Sequence, residues 1–261
     1  MSTTLASSQV GQYKITKLLY EGKGAKVFEA ISAMQDRIAI KQCDSSTSER
    51  ELRNLLSLKK WDPECEHVVK VLDHIQAPAV GSEMGGGTSS DIFSYIIFEL
   101  GVMHLDAWLR ERSYQPSWTE VLEAGQAVGE ALEWIHGHDL VHTDVKPLNC
   151  MLFGRKWKLV DFGVATQDGG KCIALTSTYV APEQAKEFLA RKEVTASKDA
   201  DVWAYGKMLF EMACGISSSL IDEDIIHDED MTKILSAVAA LEGDLVQDRR
   251  MRFPVLRSVL K

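Results

Sequence analysis

No apolar run in this chain approaches the roughly 18 residues that a membrane-spanning helix requires. Basic runs are missing too, and the formal net charge is −9. That balance argues against nucleic acid or an anionic membrane as the main partner. The five cysteines, Cys43, Cys65, Cys150, Cys172 and Cys214, are scattered, odd in number and form no Cys-x-x-Cys pair. They read as reduced thiols and not as a disulfide frame or a zinc site. The stretch Met1 to Gln9 lacks both the basic segment and the apolar core of a secretory signal. No internal repeat or proline-rich linker interrupts the chain. What is present is an ordinary globular composition, 45% hydrophobic and 26% charged over 261 residues, enough for one large domain or two small lobes. The expected location is the cytoplasm, with the nucleus left open.

Groups able to do chemistry concentrate in His142-Thr-Asp-Val-Lys-Pro-Leu-Asn149. Asp144 is a carboxylate that can accept a proton, Lys146 is a cation two residues on, and Asn149 offers a neutral oxygen ligand. Pro147 stiffens the backbone between them. An apolar run from Cys150 to Phe153, a turn at Gly154 and a second run ending Leu159-Val160-Asp161-Phe162-Gly163 predict two short strands. A tight turn between these strands returns Asp161 beside Asn149. A carboxylate and a carboxamide facing one pocket, next to a second carboxylate, suit a Mg²⁺-bound polyphosphate, because Mg²⁺ takes hard oxygen ligands.

Along the chain, residues 1–12 are Ser/Thr-rich and expected to be disordered. Alternation from Tyr13 to Leu19 predicts a strand, the glycine turn around Gly22 and Gly24 feeds a second through Val27 and Phe28, and Ile38-Ala-Ile-Lys41 forms a third. Two strands with a flexible turn make a flap whose N–H groups can lie over phosphates, although a Gly-x-Gly by itself is usually a plain turn. The Lys41 charge, at the end of an apolar strand, must find an anion. Its candidates are Glu51, with Glu49 as runner-up, on a helix striped by Leu52, Leu55 and Leu56, with Val69 beyond the turn. Val68–Ile75 predicts another strand, residues 76–91 a flexible insertion, and Phe93–Glu99 a further strand. Helical periodicity follows in Leu105, Trp108 and Leu109, then from Trp118 through Val121, Leu122, Gly125, Val128, Leu132 and Ile135 to Gly137. Asp199–Met212 reads as a largely apolar, buried helix. The acidic run Asp222–Asp230 reads as a solvated loop, with a docking site for basic substrates as the alternative. Strands first and helices after suit an α+β domain with a ligand in the cleft.

The ordered set His142-x-Asp144-x-x-x-x-Asn149, Asp161-Phe162-Gly163 and Ala181-Pro182-Glu183 resembles eukaryotic-type protein kinases. The resemblance implies a two-lobe fold: an N-lobe over 13–100 built from a small antiparallel sheet and one helix, with the insertion at 76–91, and a mainly helical C-lobe over 101–261. It implies ATP and Mg²⁺ as cofactors and a protein substrate carrying Ser or Thr acceptors. By the same resemblance Asp144 would accept the substrate proton, Lys146 would neutralise the transferring phosphoryl group, and Asn149 and Asp161 would hold Mg²⁺. Lys41, held by Glu51 with Leu55 four residues later, would anchor the α and β phosphates. Leu19, Gly22, Lys23, Gly24, Ala25, Val27, Ala39 and Met151 would enclose the nucleotide. The hinge would be Phe98-Glu99-Leu100-Gly101, with Phe98 guarding the back of the pocket while also serving as a core aromatic. Arg252 would pair with Glu183. Lys146 and Thr176 place the resemblance in the serine/threonine branch, and the hinge with Leu105–Leu109 is similar to monopolar-spindle-type dual-specificity kinases. The chain departs from the family at Tyr20 and Ala25, where the flap has glycines, and at Thr143, where an arginine normally gathers a phosphorylated loop. An active protein kinase is the first expectation. A pseudokinase or signalling scaffold is the alternative, and a small-molecule kinase comes third.

Overall fold

The first half of the chain forms β1 (Gln9–Val10), β2 (Tyr13–Gly22), β3 (Ala25–Ile31), β4 (Arg37–Cys43), β5 (Val71–Pro78) and β6 (Ile92–Glu99), with α1 (Ser45–Leu58) between β4 and β5. In the computed structural model, residues 9–22, 25–43, 45–58, 65–80, 92–111, 116–214 and 231–240 are described. The six strands make one sheet in the order β1-β2-β3-β4-β6-β5, every neighbouring pair antiparallel. Alternation sorts the side chains onto two faces. One face buries Phe28, Ala30, Ile38, Ile40, Tyr95 and Ile97 together with Val10, Tyr13 and Ile15 from the edge. On the other face Ile96 and Phe98 join Leu55 and Leu58 of α1, and Ala39 packs against them.

The remainder is mainly helical: α2 (Leu105–Arg110), α3 (Trp118–Gly137), α4 (Pro182–Leu189), α5 (Lys198–Cys214) and α6 (Met231–Ala239). Ser117 starts α3 with a reciprocal cap, its hydroxyl accepting from Glu120 N while the Glu120 carboxylate accepts from Ser117 N. Gly125 of α3 is a close-approach position: a Cβ there would lie 2.7 Å from Leu209 of α5. The Tyr205 hydroxyl donates to the Gly125 carbonyl at 2.8 Å, so the two helices meet nearly backbone to side chain. Between the helices run β7 (Met103–His104), β8 (Leu140–Val141), β9 (Cys150–Phe153), β10 (Lys156–Leu159) and β11 (Thr166–Gln167), forming a three-stranded sheet β10-β9-β7 and a pair β11-β8. The α+β architecture expected from the sequence is therefore present: an antiparallel sheet with one helix, then a mainly helical part.

Local expectations need correction at several points. Residues 9–12, grouped with the disordered tail, form β1 and the turn after it, because Gly11 at φ 56° lets Val10 fold back opposite Tyr13 and be buried. Residues 76–78, assigned to the insertion, continue β5, and the Tyr95 hydroxyl donates to the Pro78 carbonyl at 2.7 Å. Val68 and Val69 are not part of that strand. They are tied instead to β10, Val69 N donating to Leu159 O at 3.0 Å and Leu159 N to His67 O at 2.8 Å. Leu56 and Leu122 are exposed, since their helices turn Leu55, Leu58, Val121 and Ala124 inward. The acidic run 222–230 and Arg252 lie outside the described residues.

A buried charge pair braces α5. Lys207 donates to Glu211 one turn on, and its ammonium also lies 4.6 Å from the centre of the Tyr179 ring. The Tyr179 hydroxyl donates to the same carboxylate, and burial, reinforced by that carboxylate, pushes the phenol above the usual tyrosine range. Removing only the cation strands the carboxylate in a poorly solvated place. Lys207→Met is expected to cost about 3 kcal/mol in urea unfolding, and adding Glu211→Leu is expected to restore most of it.

Candidate active site

β4 ends at Cys43 and α1 begins at Ser45, so the connection is tight and Glu51 is carried directly beneath Lys41. Lys41 Nζ lies 2.7 Å from Glu51 Oε2 and 2.8 Å from Asp161 Oδ1. The side chains are 15%, 1% and 47% exposed respectively, so the site opens toward solvent on the Asp161 side. Glu49, the runner-up partner, is exposed. Burial works against the Lys41 charge, but the Glu51 and Asp161 carboxylates outweigh it and hold the ammonium well above the usual lysine range. For Asp161, burial likewise opposes charge, and the Lys41 ammonium overcomes it and holds the carboxyl below its usual value. Burial dominates at Glu51, whose carboxyl is raised in spite of Lys41.

The hairpin read from the sequence is present. Cys150 pairs with Leu159, and Val160 N donates to Asn149 O at 2.9 Å, which leaves Asp161 at φ 64° one residue past that bond. Asn149 Nδ2 donates to the Asp144 carbonyl at 2.7 Å and to Asp144 Oδ2 at 2.8 Å. With its nitrogen spent, the amide presents Oδ1, which accepts no hydrogen bond from any described residue. That oxygen and the half-exposed Asp161 carboxylate are a hard-oxygen pair of the kind Mg²⁺ takes alongside phosphate, so the residues present fit the ion.

Asp144 is held from three directions. Lys146 Nζ reaches Oδ1 at 2.9 Å and Oδ2 at 2.8 Å, and the Thr176 hydroxyl donates to Oδ1 at 2.6 Å. Lys146 also donates to Thr176 Oγ1 at 2.9 Å. Lysine, aspartate and an aliphatic hydroxyl therefore form a closed triangle at the mouth of the site.

Several contributing residues were invisible to pattern reading. Asp201 of α5, 1% exposed, accepts from His142 N at 2.7 Å, Thr143 N at 2.8 Å and His136 Nε2 at 2.9 Å. It thereby fixes the loop where Thr143 adopts φ 66°. Asn54 of α1 donates to the carbonyls of Phe162 at 3.0 Å and Ala165 at 2.8 Å, tying the helix of Glu51 to the segment of Asp161. Both sit in stretches that read as plain helix, and only a polar residue on an otherwise buried face marks them. Thr143, which stands where the resembled family has arginine, donates its hydroxyl to Val164 O at 2.9 Å. The segment after Asp161 is ordered by backbone pairing. Gly169 N donates to Ala196 O at 2.9 Å, Ala196 N to Gly170 O at 2.7 Å and Cys172 N to Val194 O at 2.9 Å.

At the other end of the cleft, Phe98 is buried, and Ala39 and Met151 pack against the same core. The Glu99 carboxylate accepts from Lys158 Nζ at 2.5 Å and Lys70 N at 3.0 Å. Leu100 leads from β6 to Gly101, against which the Met151 side chain packs closely: a Cβ there would lie 2.0 Å from Met151 Sδ. Gly22, Ala25 and Val27 occupy the β2–β3 turn strands, and Leu19 stands at an irregularity of β2. Lys23 and Gly24 lie outside the described residues.

Residues 13–254 match the family model described as the protein kinase domain. The chain belongs to the protein kinase family. Among its relatives are the mouse dual specificity protein kinase TTK, 26% identical over 220 residues covering 78% of this chain and 24% of that protein. Rice CBL-interacting protein kinase 30 is 30% identical over 234 residues, covering 82% of this chain and 44% of its own. Mouse testis-specific serine/threonine-protein kinase 3 is 29% identical over 222 residues, covering 82% and 77%. The chain thus spans about a quarter of the length of the mouse TTK kinase. Serine/threonine and dual-specificity kinases both appear among these relatives, as the resemblance at Lys146, Thr176 and the hinge implies.

A buried glutamate under a single cation makes stability sensitive to pH. In a Lys41→Met variant Glu51 loses its counter-charge and its folded-state pKa moves further above the unfolded value. The folded state then binds that proton more tightly, and stability grows as pH falls through the folded pKa. The variant is expected to melt well below the parent at pH 8, with the gap narrowing toward pH 5 in thermal unfolding.

Proposed function

We propose that this kinase domain transfers the γ-phosphoryl group of ATP, with Mg²⁺, to serine or threonine hydroxyls of protein substrates. The observation that carries the reading is the convergence of Lys41, Glu51 and Asp161, with Asp161 one residue past the Val160–Asn149 bond that joins it to the Asp144–Lys146–Asn149 cluster. When bound, MgATP supplies the phosphoryl group and the metal's charge. Asn149 Oδ1 and Asp161 would hold the metal, and Lys41 would take the α and β phosphates. Asp144 receives the acceptor's proton as the acceptor oxygen bonds to phosphorus and the bond to the departing ADP oxygen breaks. The Thr176 hydroxyl, donating to Asp144 at 2.6 Å, supports this: an aliphatic alcohol can hydrogen-bond that carboxylate. Lys146, in contact with the same carboxylate, would neutralise charge on the moving phosphoryl group. Phe98, Glu99, Leu100, Gly101, Ala39 and Met151 would receive the base, and Val27 would roof it.

Thr143 supplies no cation to gather a phosphorylated loop, and backbone pairing to 194–196 already orders the segment. Assembly of the site therefore does not call for phosphate on Thr166, Thr176, Ser177 or Thr178. Phosphatase-treated protein is expected to keep its phosphotransfer rate within about twofold, measured with radiolabelled ATP and a generic protein substrate.

The deciding experiment is Asp144→Asn. Loss of a positioned general base is expected to lower phosphotransfer by at least about a hundredfold while nucleotide binding persists. Unchanged transfer would remove the assigned role. A parent protein that binds MgATP but transfers nothing would favour the scaffold alternative.

A further inference from the structure

β2 carries two register shifts against β3, the second between Leu18 and Tyr20. This second shift is a bulge at Leu19, and it decides which side chain meets the cleft. Before it, Ile15 and Leu18 stand opposite Ala30 and Phe28, whose side chains belong to the core on the far face of the sheet. After it, Tyr20 stands opposite Val27, and Val27 opposite Lys41. Directly opposed residues of antiparallel strands share a face, so Tyr20 shares the face of Lys41. A regular strand would bring Leu19 opposite Val27 and turn Tyr20 to the other side.

The ring then folds along its own strand. A Cβ added to Gly22 would fall 2.1 Å from the Tyr20 hydroxyl oxygen and 2.6 Å from Cζ, so the ring lies directly over Gly22. Tyr20 is nevertheless 60% exposed, and its hydroxyl forms no hydrogen bond to a described residue. The bulge thus sets an aromatic ring, lying over Gly22, on the face of the sheet that carries Lys41. Strands in a sheet lie about 4.8 Å apart, which sets Tyr20 about 10 Å across the sheet from Lys41. A nucleoside triphosphate bridges such a span.

We propose that Tyr20 is a nucleotide-contacting residue, its ring covering the sugar and phosphates while Lys41 anchors their charge. The inference rests on the nucleotide reading of the cleft given above. It assigns to a side chain within β2 a share of the covering otherwise left to the backbone of the flap.

The test compares the parent with Tyr20→Gly, Tyr20→Phe and Lys41→Met. Binding of a fluorescent Mg-ATP analogue and phosphotransfer kinetics are measured on each. Tyr20→Gly is expected to weaken nucleotide binding about tenfold, the loss appearing in KM for ATP and not in KM for the protein substrate. Restoring the ring in Tyr20→Phe is expected to recover most of the affinity. Equal or tighter binding by Tyr20→Gly, or a phenylalanine variant as weak as the glycine one, overturns the proposal. In that case nucleotide bound by the parent and lost in Lys41→Met leaves the nucleotide reading standing. Absence of binding in the parent itself removes both.

Discussion

One ammonium group between two carboxylates organises this molecule. Lys41 belongs to the sheet, Glu51 to the helix packed on it, and Asp161 to the segment that follows the second strand of the hairpin. A lysine so enclosed cannot shed its charge cheaply, and a glutamate so deeply buried is tolerable only while that charge is near. The ion pair therefore couples a consecutive strand and helix to a segment 120 residues further along the chain. Asn54 adds a second link of the same kind, neutral and directed at backbone carbonyls. Together they hold the cleft at one width, which is what chemistry based on positioning requires.

Much of this was legible before any coordinates. Apolar alternation located β2, β4 and β6, and the spacing of Asn149, Gly154 and Asp161 foretold the hairpin, because a tight turn between short strands allows little else. Short-range rules failed where tertiary contacts outbid them. Val68 and Val69 have strand-forming side chains, yet they lie beside Leu159, whose backbone bonds Val69 N and His67 O. Leu19 and Tyr20 look alike to any hydrophobicity pattern, and a single extra residue in β2 sets Tyr20 instead of Leu19 opposite Val27. Glu51 ranks ahead of Glu49 in the sequence through the resemblance, with Leu55 four residues on, and the fold buries Glu51 against Lys41 while leaving Glu49 exposed. Asp201 was hidden because a carboxylate in the first turn of a helix looks like an ordinary dipole-friendly residue.

The helical half spends its buried charges differently. Lys207 with Glu211 and Tyr179, and Lys158 with Glu99, are ionic contacts set among apolar neighbours. Each ties a helix or strand to a segment near the candidate site: Tyr179 belongs to the stretch carrying Thr176, and Glu99 ends β6. Geometry near the reactants is thus braced from behind by groups that need never touch them.

The three bonds converging on Asp201 have a wider bearing. Because one carboxylate on a central helix grips consecutive main-chain amides at His142 and Thr143, the shape of the loop is inherited from beneath, not written in its own side chains. A residue at position 143 can then be traded during evolution, even arginine against threonine, without disturbing where its neighbour Asp144 stands.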